Sequence, residues 1–110
     1  MKFFITEQQR KMLGSTCFFE FQSGKYARRN VFWQADSWLL PMNMMDQIQM
    51  QAILPTFQYY GVTVVGREMW RQMQQSAREQ GGMTAAVIEA LAPWCKENFR
   101  QYSCFTILGI

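Results

Sequence analysis

The chain has 110 residues, 49% of them hydrophobic and 15% aromatic, with eleven basic against eight acidic side chains for a net charge of +3. That length is one domain, 1–110, and a chain of this size buries roughly two-thirds of its unfolded surface, which supports a core without metal or disulfide staples. The composition excludes a disordered chain, no apolar run approaches the roughly 20 residues of a bilayer span, and "MKFFITEQQ" is too short of apolar residues for a secretory signal, so a soluble, cytoplasmic globule is expected.

The first element is a short helix. Thr6 and Gln9 have capping-box spacing, and Gly14 is placed to stop the helix after about two turns. "STCFFEFQ" then alternates Cys17, Phe19 and Phe21 against Thr16, Phe18, Glu20 and Gln22, the period of a half-buried strand. The "SGKYA" break followed by "NVFWQ" predicts a hairpin turning at Gly24, with Val31 and Trp33 pointing inward. Asp36 and Ser37 read as helix-start residues. Pro41 interrupts, and Met44, Met45, Ile48 and Ala52 fit one face of a helix ending before Pro55.

Phe57 to Val65 is aromatic and β-branched, with Gly61 as a bulge position, and predicts a strand. Within two residues it gives way to a helical stripe of Met69, Trp70, Met73 and Ala77 that closes the core. Gly81 and Gly82 end that helix. Thr84 is placed to cap the next, whose stripe is Val87, Ile88, Leu91, Trp94, Cys95 and Phe99, with Pro93 as a kink or restart. "SCFTILGI" is apolar on both sides and predicts a final, central strand. The sum is an α+β fold, with about four mostly antiparallel strands packed with three or four helices.

Chemistry is sparse. With no histidine, the chain lacks the commonest general base and metal ligand. Cys17, Cys95 and Cys104 have no close pairing and read as reduced core thiols, not as a zinc site. The spacing of Asp36, Asp46 and Glu68 puts no two carboxylates on one face, so an acid/base or magnesium pair is not indicated. Glu68 instead suits the first turn of its helix. Gly66 before a helix lacks the rest of any phosphate-loop pattern. No catalytic, cofactor or metal site is expected, and the protein reads as a non-enzyme.

What remains is interaction. Four tryptophans, four tyrosines and nine methionines are residue types enriched at interface centres. "DSWLLPMNMMDQIQM" is the best candidate segment, because Trp38, Met42, Met44 and Met45 cannot all face one core from a proline-broken stretch. Asp36, Asp46 and Glu68 complete the candidate partner-binding set. The basic cluster Lys25, Arg28 and Arg29 offers the other reading, a small nucleic-acid-binding or regulatory protein whose affinity falls steeply with salt.

A helix-rich middle, then "FQYYGVTVVGREMWRQM", a glycine-punctuated helix and a terminal "CFTILGI" together resemble the small immunity proteins encoded beside bacterial polymorphic toxins, including those of contact-dependent growth inhibition systems. The resemblance covers Asp36 to Ile110 and rests on this pattern. It implies a protein that binds the C-terminal domain of one cognate toxin, often a nuclease, and blocks its active site or an essential surface, with no nucleic-acid, membrane or small-molecule partner. Covers for cationic nuclease clefts are usually acidic. At +3, either Asp36, Asp46, Glu68 and Glu79 gather locally or the partner presents an acidic or apolar face.

Overall fold

Capping and alternation set the first elements. Thr6 accepts the Gln9 N–H while the Gln9 side chain accepts the Thr6 N–H, and Gly14 closes the helix in the left-handed region. In a computed structural model, which describes residues 3–26 and 33–109, the elements are β1 (Ile5–Thr6), α1 (Glu7–Leu13), β2 (Phe18–Ser23), β3 (Trp38–Pro41), α2 (Met42–Met45), α3 (Met50–Ile53), β4 (Val62–Gly66), α4 (Arg67–Gln80), α5 (Gly82–Gln101) and β5 (Cys104–Leu108). The strands form one antiparallel sheet in the order β1-β3-β2-β5-β4. The fold is α+β, with five strands instead of about four, and β5 is interior as its two apolar sides require.

One sheet face carries Phe19, Phe21, Leu40, Val65, Phe105 and Ile107, all buried against Trp70, Met73 and Ala77 of α4 and Val87, Leu91 and Trp94 of α5. Full burial of each large apolar side chain is worth about 1.5–3 kcal/mol before entropy is set against it. Phe105 is the hub: Trp70 and Trp94 meet its ring edge-on, with centroids at 6.0 and 5.5 Å. The helical stripe read from Trp70, Met73 and Ala77 is therefore the core seam of α4, and Met69 is half-buried beside it.

The opposite face departs from the alternation pattern, which placed Phe18, Glu20 and Gln22 outward. All three are buried, together with Leu39, Thr106 and Leu108. The cover is chain, not helix. Thr106 Oγ1 donates to the Gly24 carbonyl at 2.8 Å and accepts the Tyr26 N–H at 3.0 Å. Glu20 takes the Trp33 N–H on Oε1 at 2.9 Å, and the Gln34 N–H and Ser37 hydroxyl on Oε2 at 2.7 and 2.6 Å. Arg10 stacks over the Trp33 ring at 4.5 Å. A buried carboxylate with three donors is a bracket that pins 33–37 across the sheet.

That bracket also explains the misplaced hairpin. β2 pairs with Trp38–Pro41 and not with "NVFWQ". Trp33 sits in a bend with φ 67°, and Val31 lies outside the described residues. Leu39 and Leu40 bury on opposite sheet faces, so Trp38 to Pro41 extends as a strand. The predicted helix from Met44 to Ala52 is reduced to the single turns α2 and α3, separated at Asp46–Gln49. The predicted strand from Phe57 starts only at Val62. Residues 57–61 form turns in which Gly61 donates to the Gln58 carbonyl at 3.2 Å and makes no bulge. α5 begins at Gly82 and runs through Pro93 without a restart. Thr84 is inside it, and its hydroxyl accepts the Gln49 N–H at 3.0 Å. Of the cysteines, Cys95 is buried, Cys104 is half-buried and Cys17 is exposed, so only Cys95 is a true core thiol, its pKa pushed up by burial.

Candidate partner-binding surface

The candidate residues divide between the two ends of the sheet. The pairings Trp38↔Phe21 and Gly66↔Cys104 mark one end, and Pro41↔Phe18 and Val62↔Leu108 mark the other. Asp36, just before β3, and Glu68, in the first turn of α4, are exposed beyond the first end, and Glu68 is ion-paired with Arg71. Met42, Met44 and Asp46 follow β3 at the second end. Trp38 is half-buried, with its ring 5.6 Å from that of Phe4. Met45 is core at 3% exposure. Asp36 and Asp46 therefore do not gather with Glu68 into one acidic surface, and "DSWLLPMNMM" is largely spent on packing.

A different group stands out at the second end. Tyr60 is 81% exposed, the most open aromatic among the described residues. Its ring meets that of Tyr59 edge-on at 4.8 Å, and Tyr59 in turn meets Phe19 at 5.0 Å. The Tyr59 hydroxyl donates to Asp46 Oδ1 at 2.7 Å. This places an exposed ring on a chain of contacts that ends in the core, so Tyr60 presents its area to solvent from a braced base. Val62 and Val64, each 46% exposed, continue the apolar surface along β4. Met42 and Met44 are half-buried in the turn before Asp46. Aromatic and Met side chains over a carboxylate are the composition of an interface centre with a polar rim.

The Asp46 hydrogen bond, with desolvation next, pushes the Tyr59 phenol up to about 12. Its folded value lies above the unfolded one near 10, so the bond contributes stability that is complete below about pH 10 and is lost as pH rises toward 12. In an ultraviolet phenolate titration, Tyr59 should ionise well above the ordinary tyrosine value near 10. Asp46→Asn should return it to the common range. If that substitution left the titration unchanged, Asp46 would not be holding the phenol.

Sequence reasoning missed this corner because "FQYYGVTVV" is uncharged throughout and mixes aromatic and β-branched residues without a clean alternation, and periodicity alone cannot tell which side chains are left outside. The one usable signal was charge: no charged residue occurs between Asp46 and Arg67, the longest such run in the chain.

The remaining concavities are shallow. One of about 320 Å³ lies between α4 and α5, with Ala77, Ala85 and Ala92 as floor and Arg78 and Glu89 at its rim. Another of about 140 Å³ is bounded by Asp36, Trp94, Glu97 and Tyr102, beside the buried Asn98. The Asn98 amide is already occupied, accepting the Gly24 N–H at 3.0 Å and donating to the Cys104 carbonyl at 2.9 Å. Among the described residues no group of three His, Cys, Asp or Glu side chains is arranged to hold a metal ion, and no helix is long and apolar enough to cross a membrane. Lys25 is exposed, while Arg28 and Arg29 fall outside the described residues. No family model, curated protein or solved structure matches the chain.

Proposed function

We propose that the protein is a non-catalytic, immunity-type inhibitor that binds the C-terminal domain of a cognate bacterial toxin and neutralises it by covering its active site or an essential surface. The observation that carries the reading is the exposed Tyr60, braced by a Tyr59 whose hydroxyl is bonded to Asp46, and followed in the chain by the half-exposed Val62 and Val64. An aromatic already held on one side loses little rotamer entropy when a partner covers it, which is the behaviour of an interface anchor. A largely uncharged ledge on a +3 chain also favours a partner presenting an apolar or acidic patch over one presenting a cationic groove. Met42, Met44 and Asp46 border this ledge and form the retained part of the candidate set. Asp36, Trp38 and Glu68 stand away from it.

The test is co-expression with the C-terminal domain of any polymorphic-toxin-like polypeptide whose gene adjoins that of this chain, scored by growth and then by calorimetry on the purified pair. Growth should be restored by the wild type. Tyr60→Ala should weaken binding by about thirtyfold or more, the loss of a 2 kcal/mol anchor. Absence of binding to that domain would defeat the reading. Binding that is indifferent to Tyr60→Ala would move the interface elsewhere.

A further inference from the structure

Among the described residues the outer edge of β4 is unpaired, and its Val62 and Val64 also belong to the ledge assigned to the toxin partner, so self-pairing and partner binding draw on the same strand. In an antiparallel pair, residues alternate between exchanging hydrogen bonds with the strand opposite and pointing both backbone groups away from it. The Gly109 N–H donates to the Gly61 carbonyl at 2.7 Å, and the β4–β5 register sets these two residues opposite each other. Gly61, Thr63 and Val65 thus face β5, and the N–H and C=O of Val62 and Val64 face the open edge. The same two residues expose their side chains, 46% each. Among the described residues no strand pairs with that edge.

Natural edges of this kind are blunted by shortness, charge, proline or a bulge. The edge at β1 is two residues long. β4 is five residues, with no proline and no charge. We infer that β4 pairs antiparallel with the β4 of a second copy, making one sheet continuous across a two-fold axis. Two observations favour a copy over another strand. Each chain carries +3, and β4 lies within the longest charge-free run, so this edge approaches its own image without facing like charges. The outward groups are also self-complementary. An axis at Val64 sets Val64 against its own copy and Val62 against Gly66, with all four valine side chains on one face, the isologous arrangement of a two-fold dimer. The start of α4 at Arg67 limits the contact to these few residues, so the dimer is weak and concentration-dependent.

Sedimentation equilibrium on the wild type should show a mass rising from 13.0 kDa toward twice that value with concentration. Val64→Lys would set two ammonium groups directly opposite each other, which destabilises a cross-strand pair. It should weaken association by at least about tenfold. Amide exchange gives a reading that needs no variant: Val62 and Val64 should gain protection with concentration, while Thr63 and Val65, already bonded to β5, stay slow throughout. A wild-type mass of 13.0 kDa at every concentration up to about 1 mM, the range of the weakest specific affinities, would overturn the inference. So would association in which the Val62 and Val64 amides stay open.

Discussion

Glu20→Ala should destabilise the protein by about 3 kcal/mol, the largest effect expected of any change that leaves the core side chains in place. Glu20 is 1% exposed, and its two oxygens take the Trp33 N–H, the Gln34 N–H and the Ser37 hydroxyl. Alanine removes a charged acceptor, and the Trp33 N–H, Gln34 N–H and Ser37 hydroxyl lose the carboxylate that binds them to the sheet. The loss is graded: Glu20→Gln keeps one oxygen and should fall between alanine and wild type. Denaturant unfolding measures the size, and amide exchange at Trp33 and Gln34 locates it, since those two amides should open before the rest of the sheet. A Glu20→Ala protein within about 0.5 kcal/mol of wild type, the range of ordinary surface changes, would mean that 33–37 is held by something other than this carboxylate.

Gly109→Ala should rank with it. A Cβ at Gly109 would stand 2.8 Å from the Tyr59 carbonyl carbon and 2.9 Å from the Gln58 oxygen. Those are backbone atoms and cannot rotate away, so either β5 or the 57–61 turn must move. Overpacking of a closed site costs about 1–3 kcal/mol, and a contact with main chain belongs at the upper end. Gly61→Ala is the internal control, because the atom nearest its added Cβ is the Gln58 Cβ at 3.3 Å, followed by the Gln58 Cγ at 3.9 Å. It should cost much less. Displacing the turn should also loosen the Tyr59 hydroxyl from Asp46, so the Tyr59 phenol should fall back toward the ordinary tyrosine value in Gly109→Ala. If both glycine variants unfolded alike, the close approach at Gly109 would not be what fixes the turn.

The parts of the fold legible in the sequence were those whose signals are local. The Thr6–Gln9 box, Gly14, the Trp70–Met73–Ala77 stripe and the apolar "CFTIL" each announce their element within a few residues. The parts that were not legible depend on distant partners. Nothing near Glu20 says that its carboxylate will meet backbone donors from 33 and 34, so an acid in an alternating strand reads as solvent-facing. "WLLP" carries too few residues for a period and becomes a strand only because Phe19, Glu20 and Phe21 offer it a ladder. At the candidate surface Asp46, Met42 and Met44 were found by residue type. Tyr60 was not, since its exposure follows from the turn that Gly109 holds against β5.

The strand order has a consequence for how the protein comes into being. β5 is last of the five along the chain, yet it lies between β2 and β4. Until it is in place the sheet consists of two pieces: β1, β3 and β2 on one side, and a lone β4 with its helix on the other. Phe105, the ring on which both tryptophans rest, arrives with it. The strand that joins the two pieces is thus also the one that brings Phe105 and Ile107 into the space between sheet and helices. Closing the sheet and completing the core on its helix side therefore both depend on the last strand of the chain.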